Sequence, residues 1–157
     1  RVQGTVVSSS AVRAHVADGD MESAGKLLGL PYSIFGTVVH GKALGRRIGT
    51  PTVNLPIYDG CVIPRLGVYI SQLTVGGRKY AGVTNVGVRP TVDDGNGINT
   101  ETFLLGFDGE IYGCDVTLSL CKYIREERKF DDTASLARQI LEDSEKSARF
   151  FEKFTVC

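Results

Sequence analysis

Turn signals recur at short intervals between Tyr32 and Tyr123, and no helical pattern of about 10–15 residues separates the strand-like runs. Gly76-Gly77 joins two such runs, residues 68–75 and 78–86, which is typical of a tight β-hairpin. Asp108-Gly109 likewise predicts a hairpin between residues 101–107 and 110–120. Parallel strands need a long crossover, usually a helix. The segment therefore predicts an antiparallel barrel or sandwich rather than a doubly wound sheet.

Helices are predicted on both sides of this β-rich segment. Ser8 to Ser10 supply a serine N-cap for a short helix that Gly19 ends, and Asp20 caps a second helix that Gly29 ends. Asp131 and Asp132 suit the N-terminus of a longer amphipathic helix over about residues 132–154. Its predicted apolar stripe is Leu136, Ile140, Ser144, Ala148 and Phe151, thickened by Phe150 and Phe154.

Composition excludes several classes of protein. The 157 residues include 18 Lys+Arg and 18 Asp+Glu, so there is no basic excess of the kind that phosphate contacts in nucleic-acid binders require. With 42% hydrophobic residues the chain can bury a core, yet uncharged runs such as residues 67–77 are too short to span a membrane. We expect neither a nucleic-acid nor a membrane partner.

The four cysteines, at positions 61, 114, 121 and 157, form no C-x-x-C pair, and no secretory signal is visible. We therefore expect reduced thiols and a cytoplasmic location. Because the sequence begins at Arg1 instead of Met, we also expect it to be part of a longer protein.

Residues 41–49 form a loop in which glycines alternate with cations. Gly41 and two further glycines at four-residue spacing let backbone N–H groups approach an anion closely, and Lys42, Arg46 and Arg47 add positive charge. This pattern predicts a cover for a polyphosphate, although an ordinary surface loop explains it about as well. It is not a Walker A loop.

Thr52 and Asn54 follow directly, after Pro51. Residues two apart on a strand project from the same face, so a hydroxyl and an amide oxygen lie side by side. Such neutral oxygens can complete the coordination of a Mg²⁺ that takes its other ligands from phosphates and water. An isolated T-x-N more often pairs with local backbone, and the neighbouring loop is what favours the metal hypothesis.

Glu101 begins a strand-like run in which alternation places it on the face of Phe103, Leu105 and Phe107. A carboxylate at the head of an apolar stripe is partly desolvated, which makes it a candidate general base, although a glutamate at a strand end more commonly only reaches for water. The run from Arg125 to Lys129 has the pattern of a solvated surface, with Arg125 near enough to the barrel end to reach a ligand.

Five motifs in this order resemble the riboflavin kinase domain of bacterial bifunctional riboflavin kinase/FAD synthetase, over about residues 29–151. The motifs are residues 41–49 with Pro51-Thr52-Val53-Asn54, residues 67–69, residues 85–91, Glu101 with residues 107–113, and Ile124-Arg125 with residues 129–131. The resemblance implies a mainly β fold: a six-stranded antiparallel Greek-key barrel over about residues 31–125 with a C-terminal helix. It also implies the reaction of riboflavin with ATP to give FMN and ADP.

The resemblance further implies roles for individual residues. Thr52 and Asn54 would hold Mg²⁺, with Thr52 also binding the ATP phosphates, and Glu101 would accept the proton of the ribityl 5′-hydroxyl. The remaining implied contacts are Gly41, Lys42 and Arg46 over ATP, and Arg125 and Phe130 beside the flavin. Contacts to ATP within residues 91–100 cannot be matched residue by residue.

Residues 8–13 resemble the motif that closes the adenylyltransferase half of these enzymes, with Ser10 where threonine is usual. Residues 1–29 would then be the end of that domain and residues 30–157 the kinase domain, so the chain is not expected to make FAD alone. Two other functions stay open: a flavin-binding module without kinase activity, and a barrel for RNA or protein contact. The trio Thr52, Asn54 and Glu101 disfavours the first, and the neutral charge disfavours the second.

Overall fold

The computed structural model of this chain describes residues 7–41, 52–88 and 97–155. Two helices come first, α1 (Ser9–Asp18) and α2 (Met21–Leu28). Six strands and a final helix follow in the described part of the chain: β1 (Tyr32–Thr37), β2 (Thr52–Pro56), β3 (Gly67–Val75), β4 (Arg78–Val88), β5 (Ile98–Leu104), β6 (Asp115–Arg125) and α3 (Thr133–Thr155).

The strands form one antiparallel sheet in the order β1-β6-β3-β4-β5-β2. Strands β3, β4 and β5 are successive neighbours, and β6 returns to lie beside β3, which is the Greek-key arrangement. The sheet curls until its two edges approach each other, where the Val39 N–H donates to the Asn54 carbonyl at 3.0 Å. The predicted mainly β fold of six antiparallel strands is confirmed as a curled half-barrel.

The hairpin predicted at Gly76-Gly77 joins β3 to β4, and both glycines adopt positive φ. The hairpin predicted at Asp108-Gly109 is wrong. Strand β5 ends at Leu104 and pairs with β2 and β4, whereas β6 pairs with β1 and β3. A local turn signal does not decide which strand is the partner, because the pairing of β5 with the distant strands β2 and β4 outweighs it.

The predicted helix caps are confirmed at the N-terminal end. The Ser8 side chain accepts from the Ala11 N–H, the Asp20 side chain accepts from the Ser23 N–H, and both helices end at a left-handed glycine, Gly19 and Gly29. Helix α2 packs against β1 and β6. The small apolar stripe of this segment is therefore buried against the barrel, with Val16, Met21 and Ala24 in the common core.

Helix α3 packs against β3 and β4 on the outside of the sheet. The predicted stripe is half-buried at Leu136, Ile140, Ser144, Ala148, Phe150 and Phe151, and the Phe154 side chain lies outside the described ones. The fully buried positions among residues 133–153 are Asp143 and Ser147, which that stripe did not include. Ser147 Oγ donates to the Gly82 carbonyl of β4 at 2.9 Å. None of the helices in the described part of the chain is long and apolar enough to cross a bilayer.

Candidate active site

Strand β5 presents different residues to its two faces. Thr100, Thr102 and Leu104 are buried inside the barrel, whereas Glu101 and Phe103 project outward into a cavity. The predicted stripe stops at Phe103, because the strand ends at Leu104 and the chain turns through Gly106 at φ 64°. Leu105 and Phe107 therefore do not extend the Glu101 face, and the Phe107 ring instead packs edge-on against Tyr80.

Thr52 and Glu101 meet across the β2–β5 pair. The register places Thr52 opposite Phe103 and Asn54 opposite Glu101, so the three polar side chains share the outer face of the sheet. Thr52 Oγ1 donates to Glu101 Oε1 at 2.8 Å. The hydroxyl thereby fixes the rotamer of the carboxylate and leaves Oε2 available as an acceptor.

Asn54 is buried, with 4% of its surface exposed. Its Oδ1 accepts from Asn99 Nδ2 at 3.2 Å. The Gly41 backbone lies directly against its amide, since a Cβ placed on Gly41 would come within 2.0 Å of Asn54 Nδ2. Only glycine fits at this position, so Gly41, the first residue of the glycine-rich loop, lies directly against Asn54. Lys42 and Arg46 lie outside the described residues.

A cavity of about 670 Å³ separates the outer face of the sheet from α3 and the segment that precedes it. It brings together four of the predicted site residues: Thr52, Glu101, Arg125 and Phe130. Its apolar wall comes from the sheet and the helix together and comprises Val68, Val83, Phe103, Leu136 and Ile140. A mostly apolar cavity with a few convergent polar groups is typical of a site for a small organic ligand.

Arg125, the last residue of β6, reaches this cavity because of two register shifts between β3 and β6 that place it opposite Val68. Its Nε and Nη2 donate to Asp143 Oδ2 at 3.1 and 2.8 Å. Asp143 is 1% exposed. This carboxylate is not among the residues predicted for the site, although an Asp three residues after Ile140 is unusual beside the apolar stripe of a helix.

Residues 126–129 are exposed, as the pattern of a solvated surface predicts, and Glu127, Arg128 and Lys129 also line the cavity beside the half-buried Arg125. Glu127 Oε1 accepts from Asn85 Nδ2 at 2.8 Å, and Gly87 lies so close that a Cβ there would be 2.7 Å from the same oxygen. Asn85 Oδ1 is buried and has no hydrogen-bond partner among the described residues. The Asn85–Glu127 hydrogen bond joins strand β4 to a loop distant in the sequence, and no local pattern predicts such a contact.

Asp132 lies on the cavity wall at the start of α3. Its Oδ1 accepts from the Ser135 N–H at 2.6 Å, and this bond to the backbone holds the pKa of Asp132 below its ordinary value. The carboxylate is therefore ionised at neutral pH, as the predicted acidic helix N-terminus required.

Comparison with known proteins identifies the family of this fold and site. The family model described as flavokinase, riboflavin kinase, matches residues 28–151. The chain belongs to the riboflavin kinase family. The match includes every strand and the cavity residues named above.

Curated relatives agree with this assignment. The chain is 35% identical over 147 residues to the bifunctional riboflavin kinase/FMN adenylyltransferase of Listeria monocytogenes, covering 94% of this chain and 47% of that protein. It is 41% identical over 149 residues to the protein of the same name from Escherichia coli strain K12, again covering 94% and 47%. The chain thus spans about half the length of the curated relatives it matches.

Solved structures show the same fold. A crystal structure described as a macrolide-efflux protein from Streptococcus pneumoniae superposes with a TM-score of 0.85 at 36% identity, covering 93% of this chain and 48% of that one. Riboflavin kinase from Trypanosoma brucei superposes with a TM-score of 0.57 at 21% identity, covering 78% and 81%. The second likeness supports the fold alone.

Proposed function

We propose that this chain is an ATP:riboflavin 5′-phosphotransferase that converts riboflavin and ATP to FMN and ADP. The observation that carries the proposal is the Thr52–Glu101 pair, joined at 2.8 Å on the wall of a cavity that Arg125 and Phe130 also line. A flavin-binding module without chemistry needs the cavity but has no use for an oriented carboxylate beside it.

In this reaction the ribityl 5′-oxygen bonds to the γ-phosphorus of ATP while the bond from that phosphorus to the β–γ bridging oxygen breaks. The proton of the hydroxyl goes to a base, and ADP leaves with the bonding electrons. Glu101 is suited to accept this proton, because Thr52 occupies Oε1 and Oε2 remains as an acceptor. Thr52 acts on the carboxylate by holding it in one rotamer, so that the hydroxyl meets a positioned base.

The residues present fit a Mg²⁺ that arrives with the nucleotide. Thr52 donates its proton to Glu101 and so keeps its oxygen lone pairs for a cation, and Asn54 Oδ1 has a second lone pair besides the one used by Asn99. In the described part of the chain no three His, Cys, Asp or Glu side chains cluster as a metal site, so phosphates and water would supply the other ligands. Bound there, the cation would neutralise charge on the β- and γ-phosphate oxygens.

We assign ATP to one end of the site and riboflavin to the other. Gly41, Lys42 and Arg46 belong to the loop that we assign to the ATP phosphates, and the contact of Gly41 with Asn54 supports that position for its first residue. Arg125 and Phe130 are assigned to the isoalloxazine, which the apolar wall of the cavity suits. The Arg125 guanidinium would donate to flavin oxygens at the edge of the ring.

Two further assignments concern the whole protein. We assign residues 1–29 to the end of an adenylyltransferase domain that lies upstream in the full-length protein, by analogy with relatives twice as long. On that assignment this chain forms FMN but not FAD. We assign the reaction to the cytoplasm, in keeping with the free thiols of Cys61, Cys114 and Cys121.

The test is a chromatographic assay of the purified chain with riboflavin, ATP and Mg²⁺, compared with the same mixture lacking ATP. We expect ATP-dependent FMN and no FAD. Riboflavin that binds to the chain but gives no FMN would favour a flavin-binding module and overturn the kinase proposal. The full-length protein, assayed in parallel, distinguishes that outcome from a kinase domain that needs its upstream half.

A further inference from the structure

The buried carboxylate of Asp143 on α3 pairs with Arg125 at one end of the proposed flavin cavity. Asp143 is 1% exposed, although the acids beside it on the same helix, Glu142 and Glu145, are exposed. Both Asp143 and its partner Arg125 line the cavity, and the Arg125 side chain is 14% exposed. Burying an ionised carboxylate is costly unless it is paired and hydrogen-bonded, so its position calls for an explanation.

Asp143 is satisfied on both oxygens. Oδ2 accepts from Nε and Nη2 of Arg125 at 3.1 and 2.8 Å, and Oδ1 accepts from Gln139 Nε2 at 3.2 Å. The ammonium of Lys146 lies 3.9 Å from Oδ1. Three groups thus fix the carboxylate, two of them from its own helix, and it is a rigid acceptor for the guanidinium.

The guanidinium is held on a second side by the backbone. Arg125 Nη1 donates to the Glu126 carbonyl at 3.0 Å. A guanidinium has five N–H donors, and three of those of Arg125 have acceptors in the described part of the chain, which leaves one N–H on each terminal nitrogen. Two free donors on a fixed planar group are suited to a pair of acceptors on a planar ligand.

We propose that Asp143 is a positioning residue that aims the two free N–H groups of Arg125 at the flavin in the cavity. This inference rests on the proposed function, since it assigns the ligand of Arg125. Without the carboxylate, the long arginine side chain would sample several rotamers and would have to be ordered when riboflavin binds. Asp143 therefore acts on riboflavin affinity through Arg125 and not on the phosphoryl group.

The alternative is a structural ion pair that only joins the end of β6 to α3. The two roles differ in what they predict for riboflavin. A purely structural pair affects the melting temperature and leaves the riboflavin Kd of the folded protein unchanged. A positioning residue changes the riboflavin Kd and KM while the KM for ATP stays the same.

The principal variant is Asp143→Asn, which keeps the size and one oxygen acceptor but removes the charge. We expect its riboflavin Kd, measured by quenching of flavin fluorescence without ATP, to rise about tenfold. The riboflavin KM should rise in parallel, and the KM for ATP should stay within about twofold of wild type. Glu145→Gln, an exposed acid on the same helix, is the matched control and should change none of these values.

A double-mutant cycle tests whether the effect passes through Arg125. In an Arg125→Ala background, Asp143→Asn should have no further effect on riboflavin Kd. An equal loss of affinity in both backgrounds would overturn the inference, as would a lowered melting temperature with unchanged riboflavin Kd. If Asp143→Asn does not fold, Asp143→Glu keeps the charge but displaces the guanidinium by a methylene. It should raise the riboflavin Kd of the folded protein, and an unchanged Kd there would also overturn the inference.

The same measurements separate this inference from the proposed function. If the wild type makes FMN and Asp143→Asn has the same riboflavin Kd, the proposed kinase activity stands and the positioning role of Asp143 is refuted. If the wild type neither binds riboflavin nor makes FMN, both proposals are refuted.

Discussion

The two faces of strand β5 use polar residues in opposite ways. On the inner face, Thr102 Oγ1 bonds Thr84 Oγ1 at 2.7 Å, and Thr100 Oγ1 donates to the Leu55 carbonyl at 2.8 Å. On the outer face, one residue away, Glu101 shares one oxygen with Thr52 and opens onto a cavity. The inner groups are satisfied within the fold and stabilise it, whereas the outer group retains an acceptor for a ligand. In β5, the polar side chain that is available to a ligand is therefore the one whose hydrogen-bonding capacity its neighbours leave partly unused.

The largest effect on stability is expected from the inner side of the sheet, where Leu118 of β6 belongs to the same core as the inner face of β5. Leu118→Ala removes a fully buried side chain of the core and should cost about 2–5 kcal/mol of unfolding free energy. Denaturant titration measures this loss, and the turnover of the remaining folded protein should match wild type. Phe35→Ala, at a residue 71% exposed, is the control and should cost about 0.5 kcal/mol or less. Equal losses in the two variants would contradict the assignment of the faces.

The largest effect on turnover is expected from the outer face. Glu101→Gln keeps an oxygen for the Thr52 hydroxyl but removes the proposed base, so kcat should fall at least ~10²-fold. Melting temperature and riboflavin binding should remain nearly those of wild type. Glu110→Gln replaces an exposed acid and serves as control. Unchanged turnover in the Glu101 variant would exclude this carboxylate from the mechanism.

Asn54 combines features of both faces, because it is buried as the inner residues are but lies on the outer face with Glu101. A substitution there tests whether a buried polar side chain also takes part in the site. Asn54→Ala should raise the Mg²⁺ concentration for half-maximal rate about tenfold, the lower end of what disturbing a metal site costs. The measurement is a titration of initial rate with Mg²⁺ at saturating ATP. A titration curve identical to that of wild type would refute Asn54 as a ligand.

The smallest effect should come from the hydroxyl next to Glu101 in the sequence. Thr102→Val keeps the shape but loses the bond to Thr84, at a cost of about 1 kcal/mol. The melting temperature should fall by about 2–4 °C with kcat unchanged. A loss of kcat in this variant comparable to that of Glu101→Gln would show that the two faces are not independent.

Local patterns predicted those features that neighbouring residues decide. The caps at Ser8 and Asp20, the hairpin at Gly76-Gly77 and the common face of Thr52 and Asn54 all depend on interactions within a few residues. The polar pairs across the site could not be predicted in this way. Asn85 with Glu127 and Arg125 with Asp143 join elements that only the sheet order and the packing of α3 bring together.

Irregularities of the sheet explain other differences. The register shifts between β3 and β6 change which residues share a face near Tyr123, so strict alternation along β6 cannot place Arg125. The Asp108-Gly109 signal was misleading for a related reason, since a turn fixes the local chain direction and not the strand that pairs next. The identity of the proposed ligand came from the resemblance to riboflavin kinases, since no residue pattern alone indicates riboflavin.

The bridge between Val39 and Asn54 closes the curled sheet beside the proposed nucleotide end of the site. An isolated bridge lacks the flanking ladder bonds of a long strand pair such as β3 with β4, so it opens at a lower free energy. In hydrogen exchange, the Val39 amide should therefore exchange sooner than the amides of β3. Since Asn54 contributes its carbonyl to the bridge and its side chain to the proposed magnesium site, a nucleotide held there would slow that exchange through linkage. Protection of a single amide would thus report occupancy of the phosphate end of the site without any turnover.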